Sequence, residues 1–170
     1  PWEERSDIVD SLKREWSKKM LEIQIDCDWT LSTRDKYFSF LKVLQEKASD
    51  YLISCTLRLH QYRDRKTMGI PPVERVMLMC YNTGDPKKLA ESNAILDAQV
   101  VKYYLKGKKY PREMDVALPQ FNWGAWYRAG AFQGLLRDLA PSTPGTESYL
   151  QNEQNNQYRV LQDTVIRQDY

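Results

Sequence analysis

The stretch EIQIDCDWTLSTRDKYFSFL, residues 22–41, decides the fold class, because it predicts a strand that is polar on one side only, followed by a helix. A strand presents alternate side chains to opposite sides. One face of this strand is therefore apolar, and the other carries Glu22, Gln24, Asp26 and Asp28. A carboxylate is costly to bury without a partner. The polar face indicates either one solvated face of an antiparallel sheet or the interior of a barrel that holds a polar site.

The composition is that of a globular protein. The chain has 170 residues, of which 42% are hydrophobic and 28% charged, enough for one ordinary domain with a core. A net charge of +2 gives no indication of a nucleic-acid partner, and no apolar run approaches the roughly 20 residues of a membrane span. The chain has three cysteines, Cys27, Cys55 and Cys80, which lie far apart in predicted strands, and we expect them to be small buried residues. A metal site would need close pairs of cysteines or nearby histidines, and the chain has a single histidine, so no metal site is indicated.

Hydrophobic periodicity predicts alternating helices and strands. We expect helices at 6–20, from 32 onward and at 85–105, and strands at 22–29, 52–61, 75–81 and 114–118. The strand at 52–61 again alternates, with Ser54, Thr56, Arg58 and His60 on its polar side. No glycine-rich phosphate-binding turn follows any of these strands, so no nucleotide cofactor is indicated.

Strands separated by helices predict a parallel α/β sheet. The strands of an open, doubly wound sheet are usually apolar on both faces, whereas two consecutive strands here are polar on one face. Inside a barrel these faces converge, and Asp26 or Asp28 would lie beside Arg58 or His60, about 4.8 Å across. A paired charge is tolerated there. The sequence therefore predicts a (β/α) barrel, with a complete small α/β domain with an open four-stranded sheet as the alternative.

Chemistry in such a barrel lies at the carboxyl ends of the strands. Those ends carry carboxylates, amides, a guanidinium and aromatic rings, with no Ser–His–Asp order for nucleophilic catalysis. Amides and acids bind hydroxyl groups, and indole rings stack on sugars, so this set suits a carbohydrate ligand. The candidate site residues are Asp26, Asp28, Trp29, Arg58, His60, Tyr81, Asn82, Gln120, Asn122 and Trp123.

Two short segments resemble the signatures of family-18 chitinases. The run 25–30 (IDCDWT) resembles their fourth-strand motif D-G-x-D-x-D-W-E, and 79–82 (MCYN) resembles their sixth-strand motif M-x-Y-D. More broadly, Glu22 to Leu136 resembles bacterial barrel proteins of glycoside-hydrolase-like type. The resemblance implies a (β/α)8 TIM-barrel fold and attack by the N-acetyl group of the substrate, which Asp28 would orient and Tyr81 would help to hold.

The departures from these motifs concern the catalytic acid. The glutamate of the chitinase motif is Thr30, its first aspartate falls on Ile23, and the aspartate of M-x-Y-D is Asn82. A threonine hydroxyl cannot replace a carboxylic acid as proton donor. Asp28, beside the like charge of Asp26, is the candidate substitute. The protein is therefore expected to be a glycoside-hydrolase-like protein that acts on or binds a carbohydrate. The alternative is an inactive carbohydrate-binding or scaffold protein on a hydrolase fold. A third hypothesis is a different barrel enzyme whose catalytic acid lies on the missing strands.

Three residues of this set have ordinary structural interpretations. His60 is the only histidine, and a lone strand histidine is more often hydrogen-bonded within the structure than catalytic. Arg58 can serve as the counter-ion of Asp26 instead of contacting a ligand. Trp123 can belong to the core. The catalytic assignment therefore depends on Asp28, Asp26 and Tyr81, and the other candidates are expected to contact the ligand.

The resemblance also implies that only part of a barrel is present, with strands that correspond to four to seven of eight. Residues 1–140 would form this segment, and 141–170 a polar loop and a short helix leading to a missing element. A complete barrel needs about 250 residues, so we expect two open sheet edges, completed by missing segments or by another chain. A polysaccharide-active bacterial protein would be exported to the periplasm or cell surface, although no residue here indicates export.

Overall fold

The computed structural model describes residues 21–107, 109–137, 149–153 and 157–162. The chain divides into two compact units. The first, which we call the sheet unit, comprises Pro1–Cys80 and Lys102–Ala117, and the second, the hairpin unit, comprises Tyr81–Val101 and Leu118–Tyr170. The predicted helix at 6–20, the predicted boundary after residue 140 and the predicted short helix before residue 170 lie outside the described residues.

A four-stranded parallel sheet forms the centre of the sheet unit. Its strands are β1 (Glu22–Ile25), β2 (Leu52–Arg58), β3 (Arg75–Met79) and β4 (Glu113–Ala117). Each strand pairs with the next one along the chain, in the order β1-β2-β3-β4. The predicted mixed α/β fold with a parallel sheet is therefore confirmed.

Four helices lie between these strands: α1 (Arg34–Lys47), α2 (Leu59–Arg63), α3 (Arg65–Met68) and α4 (Ala98–Leu105). In the described part of the chain, no helix combines the length and apolar character that a membrane crossing requires, and α1 has only 14 residues.

The apolar face of the sheet carries the core. Cys55, Leu57, Val76 and Leu78 are each completely buried on this face. Because Ile25 pairs with Cys55, and Cys55 with Val76, their side chains share one side of the sheet. Helix α1 covers this side with Tyr37 and Leu41, which are buried as well. The alternation in β1 and β2 thus predicts the apolar face correctly. The polar face of β2 is buried as well, since Ser54 is 0% and Thr56 5% exposed.

Several predicted boundaries are wrong. Strands β1 and β3 end at Ile25 and Met79, before the predicted ends at residues 29 and 81. Strand β2 ends at Arg58, and Leu59 begins a helix, because the side chain of Gln61 accepts a hydrogen bond from the Arg58 backbone N–H at 2.8 Å and closes the turn. Helix α4 begins at Ala98 and not at residue 85. The Asp97 carboxylate accepts the N–H groups of the residues two and three positions on, at 2.7 and 3.2 Å, and so caps the helix.

The hairpin unit contains two antiparallel hairpins that the sequence analysis did not predict. Strand β5 (Trp123–Arg128) pairs with β6 (Ala131–Arg137), and β7 (Leu150–Asn152) pairs with β8 (Tyr158–Val160). Ala129 and Gly130 join β5 to β6, both with positive φ (49° and 80°). Two such residues match the twist of the adjoining strands. The aromatic stretch after β4 is thus a strand from Trp123 onward.

Candidate functional site

Three side-chain pairs cross from the β1 segment to β2 on the polar face of the sheet. Gln24 Nε2 lies 3.4 Å from Ser54 Oγ. Thr56 Oγ1 donates to Asp26 Oδ1 at 3.0 Å. Two residues further along both segments, Arg58 binds Asp28. We call these three pairs the polar ladder. The ladder explains the alternation at residues 24–28: Gln24, Asp26 and Asp28 each have a partner on the neighbouring strand.

The Asp28–Arg58 pair is the strongest contact of the ladder. Arg58 Nε donates to both carboxylate oxygens at 2.9 Å, and Nη2 lies 2.8 Å from Oδ2. The prediction that a carboxylate of this strand pairs with Arg58 is confirmed, but the partner is Asp28, whereas Asp26 is held by Thr56. Arg58 therefore neutralises the carboxylate that was the candidate catalytic acid.

A second charged group lies at the opposite, amino-terminal end of the same face. Arg75 is surrounded by Glu113, at 3.1 Å, and by Glu22 and Asp115, both at 3.7 Å. The hydrogen bond that Arg75 donates to Glu113 and the charge of Asp115 are the two largest causes that raise the pKa of Arg75. These three carboxylates act as counter-ions of one arginine.

Trp29 is a core residue and not a ligand contact. It is 1% exposed, its indole N–H donates to the Met68 carbonyl at 2.8 Å, and its ring stacks on Tyr37 at 5.5 Å. No ring face remains for a sugar. The expected role of Trp29 in binding is therefore corrected: the ring fixes the segment after β1 on helix α1.

The end of β2 also differs from the prediction. His60 is exposed on helix α2 and not on a strand beside the carboxylates, so the expected His60 contact across the sheet is wrong. Its neighbour Gln61 is completely buried and donates to the Trp29 carbonyl at 3.0 Å. The same side chain accepts the Arg58 N–H, and it thereby ties the end of β2 to the segment after β1.

The hairpin unit holds a cleft of about 540 Å³. Its lining combines two carboxamides with aromatic and small apolar groups: Asn82, Gly84, Pro86, Ala94, Phe121, Asn122, Trp123 and Leu135. Three residues predicted to contact a ligand, Asn82, Asn122 and Trp123, thus line one cleft. Gln120 does not line it. Tyr81 lies edge-on to Phe121, with ring centroids 5.8 Å apart.

The backbone on one side of the cleft is closely fixed. Asn82 has a positive φ of 55°, a conformation that asparagine tolerates better than most residues. The N–H of Gly84 donates to the Ala94 carbonyl at 3.0 Å. A Cβ at Gly84 would lie 2.9 Å from the Cα of Ala94 and 2.7 Å from the Cδ of Glu91. The glycine therefore permits the close approach of the two segments that form this wall.

Sequence analysis missed Phe121, which belongs to this cleft together with its neighbours. The signal was its place between Gln120 and Asn122 in a stretch dense in aromatic residues. The candidate residues are divided between the units: Asp26, Asp28, Trp29, Arg58 and His60 belong to the sheet unit, and Tyr81, Asn82, Gln120, Asn122 and Trp123 to the hairpin unit.

The cysteines are divided by exposure. Cys55 and Cys80 are buried as predicted, but Cys27 is exposed, and its expected burial is wrong. Burial raises the pKa of the Cys55 thiol to about 12. Within the described ranges, no three His, Cys, Asp or Glu side chains are grouped so that they could hold a metal ion.

Comparisons of the chain with protein-family models, with curated proteins and with solved structures give no match. The site is therefore interpreted from its own geometry.

Proposed function

We propose that the protein binds a carbohydrate in the cleft of the hairpin unit. The observation that carries the proposal is the convergence of two carboxamides, Asn82 and Asn122, with the rings of Phe121 and Trp123. A carboxamide both donates and accepts hydrogen bonds, as the hydroxyl groups of a sugar require. Aromatic rings offer the flat apolar surface against which the C–H face of a sugar packs. The volume, about 540 Å³, lies within the usual range of ligand pockets.

We further propose that β1–β4 form part of a (β/α) barrel. Two observations support this fold. The four parallel strands follow one another in chain order, as in barrels in which each strand is followed by a helix. The polar ladder lies on the face opposite helix α1, where the interior of a barrel would be, because Ser54 and Thr56 alternate with Cys55 beneath that helix.

A glycoside hydrolase is the second candidate function, and Asp26 and Asp28 at the carboxyl end of β1 are the feature that favours it. Two contacts make hydrolysis the weaker candidate. Both oxygens of Asp28 already accept hydrogen bonds from Arg58. The Thr30 hydroxyl, at the position of the expected acid, lies 2.9 Å from Ser32 Oγ and cannot replace a carboxylic acid. Binding without turnover is therefore our principal proposal.

Binding of the full chain to a panel of neutral oligosaccharides, measured by calorimetry, tests the proposal. Trp123→Ala and Asn122→Ala are expected to weaken binding about tenfold or more, because each removes a group from the cleft. Trp126→Ala is the matched control, since Trp126 lies on the same strand, is 46% exposed and does not line the cleft. Equal affinity of all four proteins, or no binding by the wild type, would contradict the proposal.

The same panel separates binding from hydrolysis. Product release is measured for the wild type and for Asp28→Asn, with binding recorded in parallel. Turnover that disappears in Asp28→Asn would establish the hydrolase reading and overturn binding without turnover. Binding with no product supports the principal proposal.

A further inference from the structure

Two segments of the sheet unit that lie far apart in the chain meet through stacked side chains. The guanidinium carbon of Arg63 lies 4.7 Å from the ring centroid of Tyr104 and 5.7 Å from that of Tyr103. Tyr62 stacks on Tyr110, with centroids 5.4 Å apart and planes inclined by 22°. These contacts join residues 62–66 to residues 102–107, 109 and 110 in one surface, which we call the lysine–tyrosine surface.

The lysine–tyrosine surface concentrates positive charge. Its residues 102–107, 109 and 110 include three lysines and no Asp or Glu. The run YRDRK, residues 62–66, adds three more Lys or Arg residues and one acid, Asp64. Arg63 binds that acid through Nε at 2.8 Å and Nη2 at 2.7 Å. The net charge of the whole chain is only +2, so this local excess does not show in the overall composition.

The lysines of this surface have no acidic partners. Lys66, Lys102, Lys106 and Lys109 are exposed, and none of them forms an ion pair with any residue that the structure describes. Lys102 and Lys106 are four residues apart and therefore lie on one side of α4 and its end. Tyr103, between them, is 63% exposed. Several unpaired ammonium groups thus flank an accessible ring.

We propose that the lysine–tyrosine surface is a second carbohydrate site, separate from the cleft, that binds an acidic polysaccharide, a chain of uronate sugars. The choice of a sugar as ligand rests on the proposed carbohydrate-binding function. Carboxylates that recur along a polymer match several lysines at once, and a sugar ring can pack on the exposed part of Tyr103. Of the four tyrosines of this surface, Tyr62 and Tyr110 are buried and Tyr104 is half-buried, so Tyr103 alone is exposed. One exposed ring suits a sugar polymer better than single-stranded nucleic acid, which binds by stacking successive bases on several rings.

Polygalacturonate and its fully methyl-esterified form are the probes, because esterification removes the carboxylate charges and leaves the sugar backbone unchanged. We expect the wild-type chain to bind polygalacturonate more tightly than the ester, with an affinity that falls as salt is added. Lys102→Gln/Lys106→Gln is expected to weaken polygalacturonate binding about tenfold. Lys87→Gln/Lys88→Gln, a pair of exposed lysines in the hairpin unit, is the matched control and is expected to bind like the wild type.

Three results would overturn the inference: equal affinity for the acid and the ester, equal affinity of the double variant and the wild type for polygalacturonate, or tighter binding of oligo(dT) than of polygalacturonate. The cleft proposal is tested separately, by the binding of neutral oligosaccharides to the wild type and to Trp123→Ala. Lys102→Gln/Lys106→Gln is expected to lose binding of the acidic polymer and to bind neutral sugars like the wild type. That result would support the proposal that this surface binds the acidic polymer.

Discussion

Arg58 holds Asp28 by both carboxylate oxygens, with Nε 2.9 Å from each and Nη2 2.8 Å from Oδ2. The pair joins the segment after β1 to the last residue of β2. An arginine in this geometry satisfies a carboxylate more completely than a lysine can. The aspartate that most resembles a catalytic residue in the sequence is thus, in the structure, one half of a cross-strand ion pair.

The energy of this pair follows from its exposure. The side chains of Asp28 and Arg58 are 48% and 34% exposed, so water screens their attraction. A double-mutant cycle with Asp28→Asn and Arg58→Gln, measured by urea unfolding, is expected to give a coupling free energy of about 0.5–1 kcal/mol. A coupling near zero would show that the pair contributes nothing to stability.

Replacement of Gln61 is expected to cost more than replacement of any exposed glutamine. Gln61→Leu leaves the Trp29 carbonyl and the Arg58 N–H without their partner inside the protein. We expect a loss of about 2–4 kcal/mol in the free energy of unfolding. Gln99→Leu, at an exposed position of α4, is the control and is expected to change stability by less than about 0.5 kcal/mol. Equal effects of both substitutions would contradict the bridging role.

Thiol labelling is expected to distinguish the three cysteines. Cys27 is exposed, whereas Cys55 and Cys80 are buried, and burial raises the pKa of both buried thiols. Because the thiolate is the reactive form, a small thiol reagent should label the native chain at Cys27 alone. Cys27→Ser is expected to remove the rapid phase, and urea is expected to restore labelling at the other two positions. Rapid labelling of native Cys27→Ser would show that the core opens readily.

Stability is expected to fall in alkaline solution. The Cys55 thiol has its pKa raised from 9.0 to about 12 by burial. Between these values the unfolded chain loses this proton and the native chain keeps it, so ionisation favours the unfolded state as pH rises. One such group lowers the free energy of unfolding by up to about 1.4 kcal/mol per pH unit in this window. Burial also raises the pKa of Tyr37 and of Tyr110, which act in the same direction at higher pH.

Urea unfolding of the wild type and of Cys55→Ala at pH 8 and pH 10 measures this effect. The alanine variant is expected to be less stable at pH 8, because it leaves a cavity. Its further loss between pH 8 and pH 10 is expected to be smaller than that of the wild type. Equal losses in the two proteins would assign the alkaline sensitivity to other groups.

The sheet could be predicted because its signal is repeated in neighbouring strands. Alternation in residues 22–28 and again in 52–58 gives the apolar face and the polar pairs, and intervening helices give the parallel direction. The hydrophobic pattern does not show where β2 ends. Leu57 and Leu59 keep the period of a strand, although Leu59 begins α2. The boundary is set by one hydrogen bond from the Arg58 N–H to Gln61, a tertiary detail that periodicity does not contain.

The cleft could be predicted only in part, for a related reason. Asn122 and Trp123 are neighbours in sequence, but Asn82 joins them through the fold of the hairpin unit. The sequence predicts that Trp29 binds the ligand, because it lies at the carboxyl end of the predicted strand and its indole ring could stack on a sugar. Its burial depends on the Met68 carbonyl, 39 residues further along the chain. Residue type predicts what a side chain can bind, whereas its exposure depends on long-range contacts.

The order of pairing in the sheet has a consequence for synthesis on the ribosome. Each strand hydrogen-bonds to the strand that was made just before it. A nascent chain, which lengthens by about 5–20 residues per second from its amino end, can therefore dock β2 on β1 before β3 has left the exit tunnel. The sheet then grows at one edge. At every stage the newest strand offers the unpaired edge, and the next strand to emerge is its partner.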